Sequence, residues 1–179
     1  ADFVGKDFAI VYSTAFNVHQ GPLSCVTCRE DYILWDELDH ASIIEGCRVS
    51  FSTKLKFRNN DMDSLENQLL RCEPDKVKLI VVDGVFSMEG DVEKLPEIVK
   101  LARKFNASVM VDEAHSLGVL GKDYSGKGLV EQCGLGDDVD LIMGTLSKSL
   151  ASIGGFIAGN ETILDYLRHN SRAYIFTAS

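Results

Sequence analysis

The chain has 179 residues, 45% hydrophobic and 25% charged, a composition typical of one globular domain with a substantial core and not of a disordered segment. Eighteen Lys and Arg against 27 Asp and Glu give a formal net charge of −9, and no basic cluster interrupts the acidity. Nucleic acid and anionic membrane surfaces are therefore disfavoured as main partners. A small anion is still compatible, because backbone amides can hold a phosphate.

No apolar run approaches the length of a membrane span, and no signal peptide is recognisable. The five cysteines are an odd number in a chain too large to need disulfides, which favours reduced thiols and a cytoplasmic location. Cys25 and Cys28 form a C-x-x-C, which we interpret as two half-buried thiols on one helix face. Because no second Cys or His pair follows at zinc spacing, we predict no metal site.

Apolar β-type runs alternate with helix-like segments along the chain. The predicted strands cover residues 9–12, 32–35, 55–57, 79–83, 108–112, 139–143 and 155–158. The predicted helices cover residues 15–20, 43–49, 62–72, 96–105 and 161–169. Asp61 is predicted to cap the third helix and Pro96 to open the fourth. The glycine-rich stretch 118–136 is predicted to be irregular and to lie over the site.

This alternation predicts an α/β fold with a doubly wound, mostly parallel sheet between two layers of helices. Continuous apolar runs such as 79–83 are typical of strands buried on both faces. Ligands of such sheets bind at the carboxyl ends of the strands. Residues that follow the strands are therefore the candidates for chemistry.

Lys148 lies in a hydroxyl-rich turn after one of these strands, with no carboxylate near it in the sequence. Burial would lower the pKa of its ammonium, and a neutral amine is the form that attacks carbonyl compounds. From this stretch alone, a solvated surface lysine is the more common interpretation. The acidic strand end at 109–115, earlier in the chain, favours instead a functional site that includes Lys148.

Asp112 ends that strand and His115 follows three residues later. A carboxylate placed there needs a cationic or hydrogen-bonding partner, such as a protonated pyridine nitrogen. The alternatives are that Asp112 caps a turn while His115 is an ordinary polar residue, or that both bind a metal, for which there are too few ligands. The turn at 13–16 is either an anion site or an ordinary capped helix start, and His40 is either a cap or a site residue.

Several motifs, in order, carry a family resemblance. VDGVFSMEGD, VDEAHSLGVLGKDYSGKG and GTLSKSLASIGGF, together with DELDHASIIEGCRVS and FRNNDMDSLE, resemble the α-oxoamine synthases of the fold-type I pyridoxal phosphate enzymes. The similarity runs nearly from end to end. It implies that residues 1–179 are the central part of the aminotransferase-like, pyridoxal phosphate-binding large domain, with an N-terminal segment and a C-terminal subdomain lying outside this chain.

The resemblance also implies four catalytic residues. Lys148 would link covalently to the cofactor and later move the Cα proton of the substrate. Asp112 would pair with the pyridinium nitrogen of the cofactor, and His115 with its phenolic oxygen. His40 would stack on the face of the ring.

Further cofactor contacts follow from the same resemblance. The backbone at Ala15 and Phe16, with the Thr145 hydroxyl, would hold the phosphate. Ser87 would lie beside the ring near the phenolic oxygen, and Thr177 would reach the phosphate of a neighbouring subunit. The implied enzyme is a homodimer that shares its active sites.

The implied reaction condenses an amino acid with an acyl-CoA and releases carbon dioxide, giving an α-oxoamine. The stretch after Lys148 is most similar to bacterial serine palmitoyltransferase-type members, with serine or glycine as the amino acid. The alternatives are a glycine C-acetyltransferase, an 8-amino-7-oxononanoate synthase and, in another class, a non-catalytic partner subunit or a phosphate-binding module. A long acyl chain would bring such an enzyme close to a membrane surface.

Overall fold

The structure, a computed structural model, describes residues 1–177. Within them, one seven-stranded sheet has the order β1-β7-β6-β5-β4-β2-β3. The strands are β1 (Phe8–Tyr12), β2 (Tyr32–Asp36), β3 (Thr53–Phe57), β4 (Lys78–Asp83), β5 (Ser108–Asp112), β6 (Leu141–Thr145) and β7 (Gly155–Gly159). The helices are α1 (Ala15–Cys25), α2 (Ala41–Val49), α3 (Met62–Leu69), α4 (Leu95–Phe105), α5 (Leu129–Gln132), α6 (Glu161–Asn170) and α7 (Arg172–Ile175), with 3-10 turns at Asp2–Val4 and Lys122–Tyr124.

The predicted doubly wound, mostly parallel sheet is confirmed. Strands β2 to β6 are all parallel to one another, whereas β7 is antiparallel to both β6 and β1. Since β7 reverses the direction twice, β1 runs the same way as β6. The carboxyl ends of β1, β2, β4, β5 and β6 therefore meet at one edge of the sheet, which we call the carboxyl edge.

Each face of the sheet packs against its own layer of helices. Ile80 and Val82 belong to the core beneath α3 and α4. Leu79 and Val81 belong to the core beneath α1, α2 and α6. Alternate residues of β4 thus enter opposite cores, which explains why this strand is apolar without interruption.

Helix α1 continues past the predicted end at Gln20 to Cys25, although Gly21 and Pro22 lie inside it. Packing overrides the local propensity here, because a Cβ at Gly21 would lie 2.2 Å from the Ser171 Oγ and 2.9 Å from the Tyr12 ring.

The prediction of two half-buried thiols on one helix face is wrong. Cys25 is half-buried, but Cys28 lies beyond the helix and is exposed.

Other boundaries shift by a few residues. Strand β6 extends to Thr145 instead of ending at residue 143, which brings this hydroxyl to the carboxyl edge. The stretch 118–136 contains the short helix α5 and one 3-10 turn. Across residues 1–177, no helix has both the length and the apolar character needed to cross a membrane.

Candidate active site

Two buried aspartates form the floor of the candidate site. Asp83 and Asp112 end neighbouring strands and are paired in register, so their side chains lie on the same face of the carboxyl edge. Their exposed fractions are 2% and 3%. Two carboxylates buried side by side cannot easily both ionise, and their pKa values move in opposite directions.

Asp112 carries the negative charge of this pair. Its Oδ1 accepts the Ala114 N–H at 2.8 Å, and its Oδ2 lies 3.1 Å from the Nε2 of His19, which is 1% exposed. Burial alone would raise the pKa of Asp112, but His19 and the Ala114 N–H together hold it below its ordinary value. Within the chain, the polar side chain nearest to the Asp112 carboxylate is thus a histidine of α1.

Asp83 is the neutral member of the pair. Its Oδ2 accepts the His40 backbone N–H at 2.6 Å, while its own N–H donates to Asp39 Oδ1 at 2.8 Å. Burial and the charge of Asp112 raise the pKa of Asp83 to about 8. At neutral pH the floor of the site therefore holds one negative charge.

Lys148 lies above this floor, in the turn that follows β6. Its Nζ is 2.6 Å from the His115 Nε2. Partial burial lowers the pKa of Lys148 against the opposing charges of Asp112 and Asp83, and burial together with Lys148 lowers the pKa of His115. A neutral imidazole can then accept a hydrogen bond from the Lys148 amine. The lysine side chain is nevertheless exposed, as a surface lysine would be, and open to a ligand.

His40 has the capping role that the sequence left open. It precedes α2, and its Nδ1 accepts the Ser42 N–H at 3.2 Å and lies 2.7 Å from the Ser42 Oγ. This cap fixes the ring next to Asp83, which accepts the His40 N–H. Burial lowers the pKa of His40 against the opposing pull of Asp112, so the ring also faces the acidic floor.

The start of α1 offers free backbone donors at the same edge. Thr14 caps this helix by accepting the Asn17 N–H at 3.1 Å, which leaves the preceding N–H groups of Ala15 and Phe16 without a capping acceptor. Gly155 of β7 allows the close approach, because a Cβ there would lie 2.8 Å from the Ala15 Cα. These donors and the helix dipole favour an anion.

Thr145 lies at the end of β6, opposite Gly155 in the sheet register. Its Oγ1 accepts the Ser147 N–H at 3.2 Å and lies 2.7 Å from the Ser147 Oγ. Since Gly155 also pairs with Tyr12 at the end of β1, the Thr145 hydroxyl is brought to the side of the edge where α1 begins.

Two predicted contact residues lie apart from this cluster. Ser87 is exposed in the turn after β4, and within the described residues no side-chain hydrogen bond joins it to the site. Thr177 is exposed beyond α7 and lines a surface depression with Tyr12 and Ser13 of its own chain.

Glu113, which the sequence did not single out, clamps the glycine-rich loop to the site. Its buried carboxylate accepts the N–H groups of Leu129 at 2.9 Å and Val130 at 2.7 Å, and also the Ser116 hydroxyl. Gly128 makes room for it, because a Cβ there would lie 2.6 Å from the Glu113 carboxyl carbon. The clamp fixes both ends of the segment that carries His115.

The sequence analysis also missed His19, since a lone histidine in a helix gives no sign of its distant partner.

A family model described as aminotransferase class I and II matches residues 1–179. The chain belongs to this family. A serine palmitoyltransferase of Bacteroides thetaiotaomicron is 62% identical over 179 residues, which are 100% of this chain and 45% of that protein. An 8-amino-7-oxononanoate synthase of Bacillus velezensis is 45% identical, again over 100% of this chain and 45% of that protein.

A solved structure gives the same picture. The serine palmitoyltransferase of S. paucimobilis with bound PLP–myriocin aldimine superimposes with a TM-score of 0.95 at 39% identity, covering 99% of this chain and 44% of that one. These relatives are α-oxoamine synthases, which confirms the resemblance drawn from the motifs. The chain spans less than half the length of the relatives that it matches.

Proposed function

We propose that the protein is a pyridoxal phosphate-dependent acyltransferase that condenses an amino acid with an acyl-CoA, with loss of carbon dioxide, in the manner of a serine palmitoyltransferase. The observation that carries this proposal is the contact of 2.6 Å between the Lys148 amine and the His115 imidazole, close enough to the buried Asp112 carboxylate for its charge to act on both groups. A lysine whose pKa is lowered, next to a neutral base, is suited to attack on an aldehyde.

The residues present fit pyridoxal phosphate in charge and in hydrogen-bonding capacity. The buried Asp112 carboxylate matches a protonated ring nitrogen, and the free amides of Ala15 and Phe16 match a phosphate. Thr145 supplies a hydroxyl on the side where α1 begins, and His40 offers a ring next to the acidic pair. We further propose that Ser87 and the Thr177 of a second copy complete the site in a homodimer.

Bound pyridoxal phosphate supplies an electron sink for a negative charge that develops at the amino acid Cα. Asp112 keeps the proton on the ring nitrogen, because its carboxylate stays ionised in a buried site. The Lys148 amine would hold the cofactor and would move the proton at the substrate Cα. His115, whose Nε2 lies 2.6 Å from that amine, would hydrogen-bond to the phenolic oxygen of the cofactor.

Serine with a long-chain acyl-CoA is the favoured substrate pair, because the serine palmitoyltransferase of Bacteroides thetaiotaomicron is 62% identical whereas the 8-amino-7-oxononanoate synthase of Bacillus velezensis is 45% identical. A non-catalytic partner subunit is disfavoured by the presence of Lys148. We further propose a cytoplasmic enzyme that takes up its acyl substrate near a membrane surface. Because the net charge of the protein is −9, an anionic membrane would repel it, so the acyl group and not the protein surface would make the contact with the membrane.

The test uses the full-length protein with serine or glycine and a panel of acyl-CoA thioesters of increasing chain length. Release of free CoA is followed by thiol titration, and the product is identified by mass spectrometry. We expect CoA release with serine and a long-chain thioester, together with a product that has lost carbon dioxide. CoA release only with short thioesters and glycine would favour a glycine C-acetyltransferase, and no release with any pair would contradict the proposal.

A further inference from the structure

The two acids on the floor of the site pose a question of charge assignment. Asp83 and Asp112 are cross-strand neighbours with nearly equal burial, and one negative charge is stable between them. Only a charge on the acid below the ring nitrogen is useful for the proposed reaction. Something in the structure must therefore distinguish the two carboxyl groups.

Their neighbours differ in one respect. Each carboxyl group accepts one backbone N–H, from His40 at 2.6 Å for Asp83 and from Ala114 at 2.8 Å for Asp112. Only Asp112 also faces an imidazole, with 3.1 Å between its Oδ2 and the His19 Nε2. An opposite charge at this distance favours the ionised form of a carboxylic acid.

Asp112 is the polar group that the buried His19 ring faces. The side chain is 1% exposed, and neither ring nitrogen has a hydrogen-bond partner with good geometry within the described residues. The Nε2 is near Asp112 but not aligned as a full hydrogen bond, so Asp112 is its polar neighbour by distance and charge. A buried polar ring without other partners would be costly unless the Asp112 contact stabilises it.

We propose that His19 is a positioning residue that keeps the negative charge of the acidic pair on Asp112 instead of Asp83. The inference rests on the proposed function, because it gives a purpose to the charge below the ring nitrogen. His19 acts through Asp112 and does not touch the cofactor. His19 follows Ala15 by one helical turn. Helix α1 would therefore contact the cofactor phosphate through its first amides and Asp112 through His19.

Helix α2 packs against the backbone of His19. Gly46 of α2 packs against the backbone of His19, where a Cβ would lie 3.0 Å from the His19 carbonyl oxygen. Helices α1 and α2 can therefore approach closely at His19, and this packing fixes the position of its backbone. The titratable groups around Asp112 are His19 from α1, Asp83 from β4, Glu113 next to it in sequence, His40, His115 and Lys148.

The test compares cofactor binding by four forms of the full-length protein prepared without cofactor: wild type, His19→Gln, Asp83→Asn and the double variant. The dissociation constant of pyridoxal phosphate is measured between about pH 6 and about pH 9 by absorbance. Glutamine keeps an N–H donor but has no charge, so Asp112 in His19→Gln should bind a proton at higher pH. We expect about tenfold weaker binding near neutral pH, and a smaller difference toward pH 9, where Asp112 is ionised in both proteins.

Asp83→Asn provides the matched control. Asparagine still accepts the His40 N–H but cannot compete for the charge, so His19→Gln should weaken binding less in this background than in the wild type. A loss in His19→Gln that is equal at every pH, and equal in both backgrounds, would show a merely structural role and overturn the inference.

A second readout does not need the cofactor. The ring nitrogen resonances of His19, assigned by their loss in His19→Gln, or in His19→Asn if the glutamine variant does not fold, are compared by NMR at one pH in the wild type and in Asp112→Asn. Removal of the carboxylate that lies 3.1 Å from the Nε2 should move the Nε2 resonance. An unchanged resonance would overturn the inference, whereas failure of the wild type to bind pyridoxal phosphate would instead overturn the proposed function.

Discussion

Two lysines at opposite ends of the sheet have opposite surroundings. Lys78 opens β4 at the amino end and is 2% exposed, and its Nζ donates to three backbone carbonyls of the segment 73–76 at 2.8, 3.0 and 3.2 Å. Lys148 lies beyond the carboxyl end of β6, is exposed, and has the His115 Nε2 as its hydrogen-bonding neighbour at 2.6 Å. The first lysine is held by acceptors on three sides, and the second by one.

The comparison distinguishes a lysine whose ammonium is fully occupied by acceptors from one that is open to a ligand. An ammonium group whose three protons are all donated to carbonyls has no free electron pair and no room for a ligand. Lys148 has an open side, a lowered pKa and a base within reach, so its amine can act as a nucleophile. Burial alone would have pointed to Lys78, whereas the hydrogen-bond partners point to Lys148.

The largest expected effect comes from Lys148→Ala. We expect turnover by the full-length protein to fall by roughly 10⁴-fold or more, because both the covalent link and the proton carrier are lost. Thermal stability should stay near that of the wild type, since an exposed side chain is removed. CoA release and a thermal melt measure both, and Lys148→Arg serves as a control that keeps the charge. Wild-type turnover by Lys148→Ala would contradict the assignment.

Lys78→Met is the converse change. It leaves buried carbonyls of the segment 73–76 without their donor, so we expect the free energy of unfolding to fall by roughly 2–4 kcal/mol. Activity per folded molecule should be unchanged. Denaturant titration and active-site titration separate the two quantities. A loss of turnover without a loss of stability would remove the distinction between the two lysines.

Gly155→Ala sharpens the description of the carboxyl edge. The added Cβ would lie 2.8 Å from both the Ala15 Cα and the Val18 Cγ2, so the start of α1 must move. We expect a destabilisation of about 1–3 kcal/mol and weaker binding of the cofactor phosphate. Gly136→Ala is the matched control, because a Cβ at Gly136 meets nothing within 4 Å. Equal cofactor affinities in the two variants would show that α1 does not hold the phosphate.

Asp83 at the carboxyl edge should lower the free energy of unfolding as pH rises. Burial raises the pKa of Asp83 to about 8, above its value in the unfolded chain, so the unfolded state releases this proton first as pH increases. The contribution of Asp83 is therefore favourable below about pH 4 and is lost progressively up to pH 8.

Asp83→Asn removes this dependence. We expect its free energy of unfolding to exceed that of the wild type by at least about 1 kcal/mol near pH 8, and the difference to shrink toward pH 5. Glu93 keeps part of the slope, because burial raises its pKa to about 8 as well. Denaturant titrations at several pH values measure the difference, and a constant difference across pH would contradict the assignment of the proton to Asp83.

Much of the fold could be predicted because local patterns agree with it. Asp61 caps α3 as predicted, accepting the Ser64 N–H at 2.8 Å, and the apolar run at 79–83 is a strand buried on both faces. The antiparallel direction of β7 could not be predicted, because strand direction is set by the connection and the tertiary packing. The continuation of α1 through Gly21 and Pro22 depends on contacts with Ser171, far away in the sequence.

In the candidate site, too, some residues could be predicted from local patterns and others only from tertiary contacts. Lys148, Asp112, His115 and His40 follow strand ends, so a pattern could place them at one edge. His19 and Asp83 are recognisable only from their neighbours, since the role of each comes from the charge of Asp112. Electrostatic coupling between buried groups leaves no periodic signal in a sequence.

The central claim, that Lys148 and not a buried lysine carries the cofactor, has one direct measurement. The full-length protein is loaded with pyridoxal phosphate, reduced with borohydride and digested, and the modified peptide is identified by mass spectrometry. We predict a single phosphopyridoxyl group on the peptide that contains Lys148, lost in Lys148→Ala and retained in Lys78→Met. A modification on any other lysine, or on none, would contradict the claim.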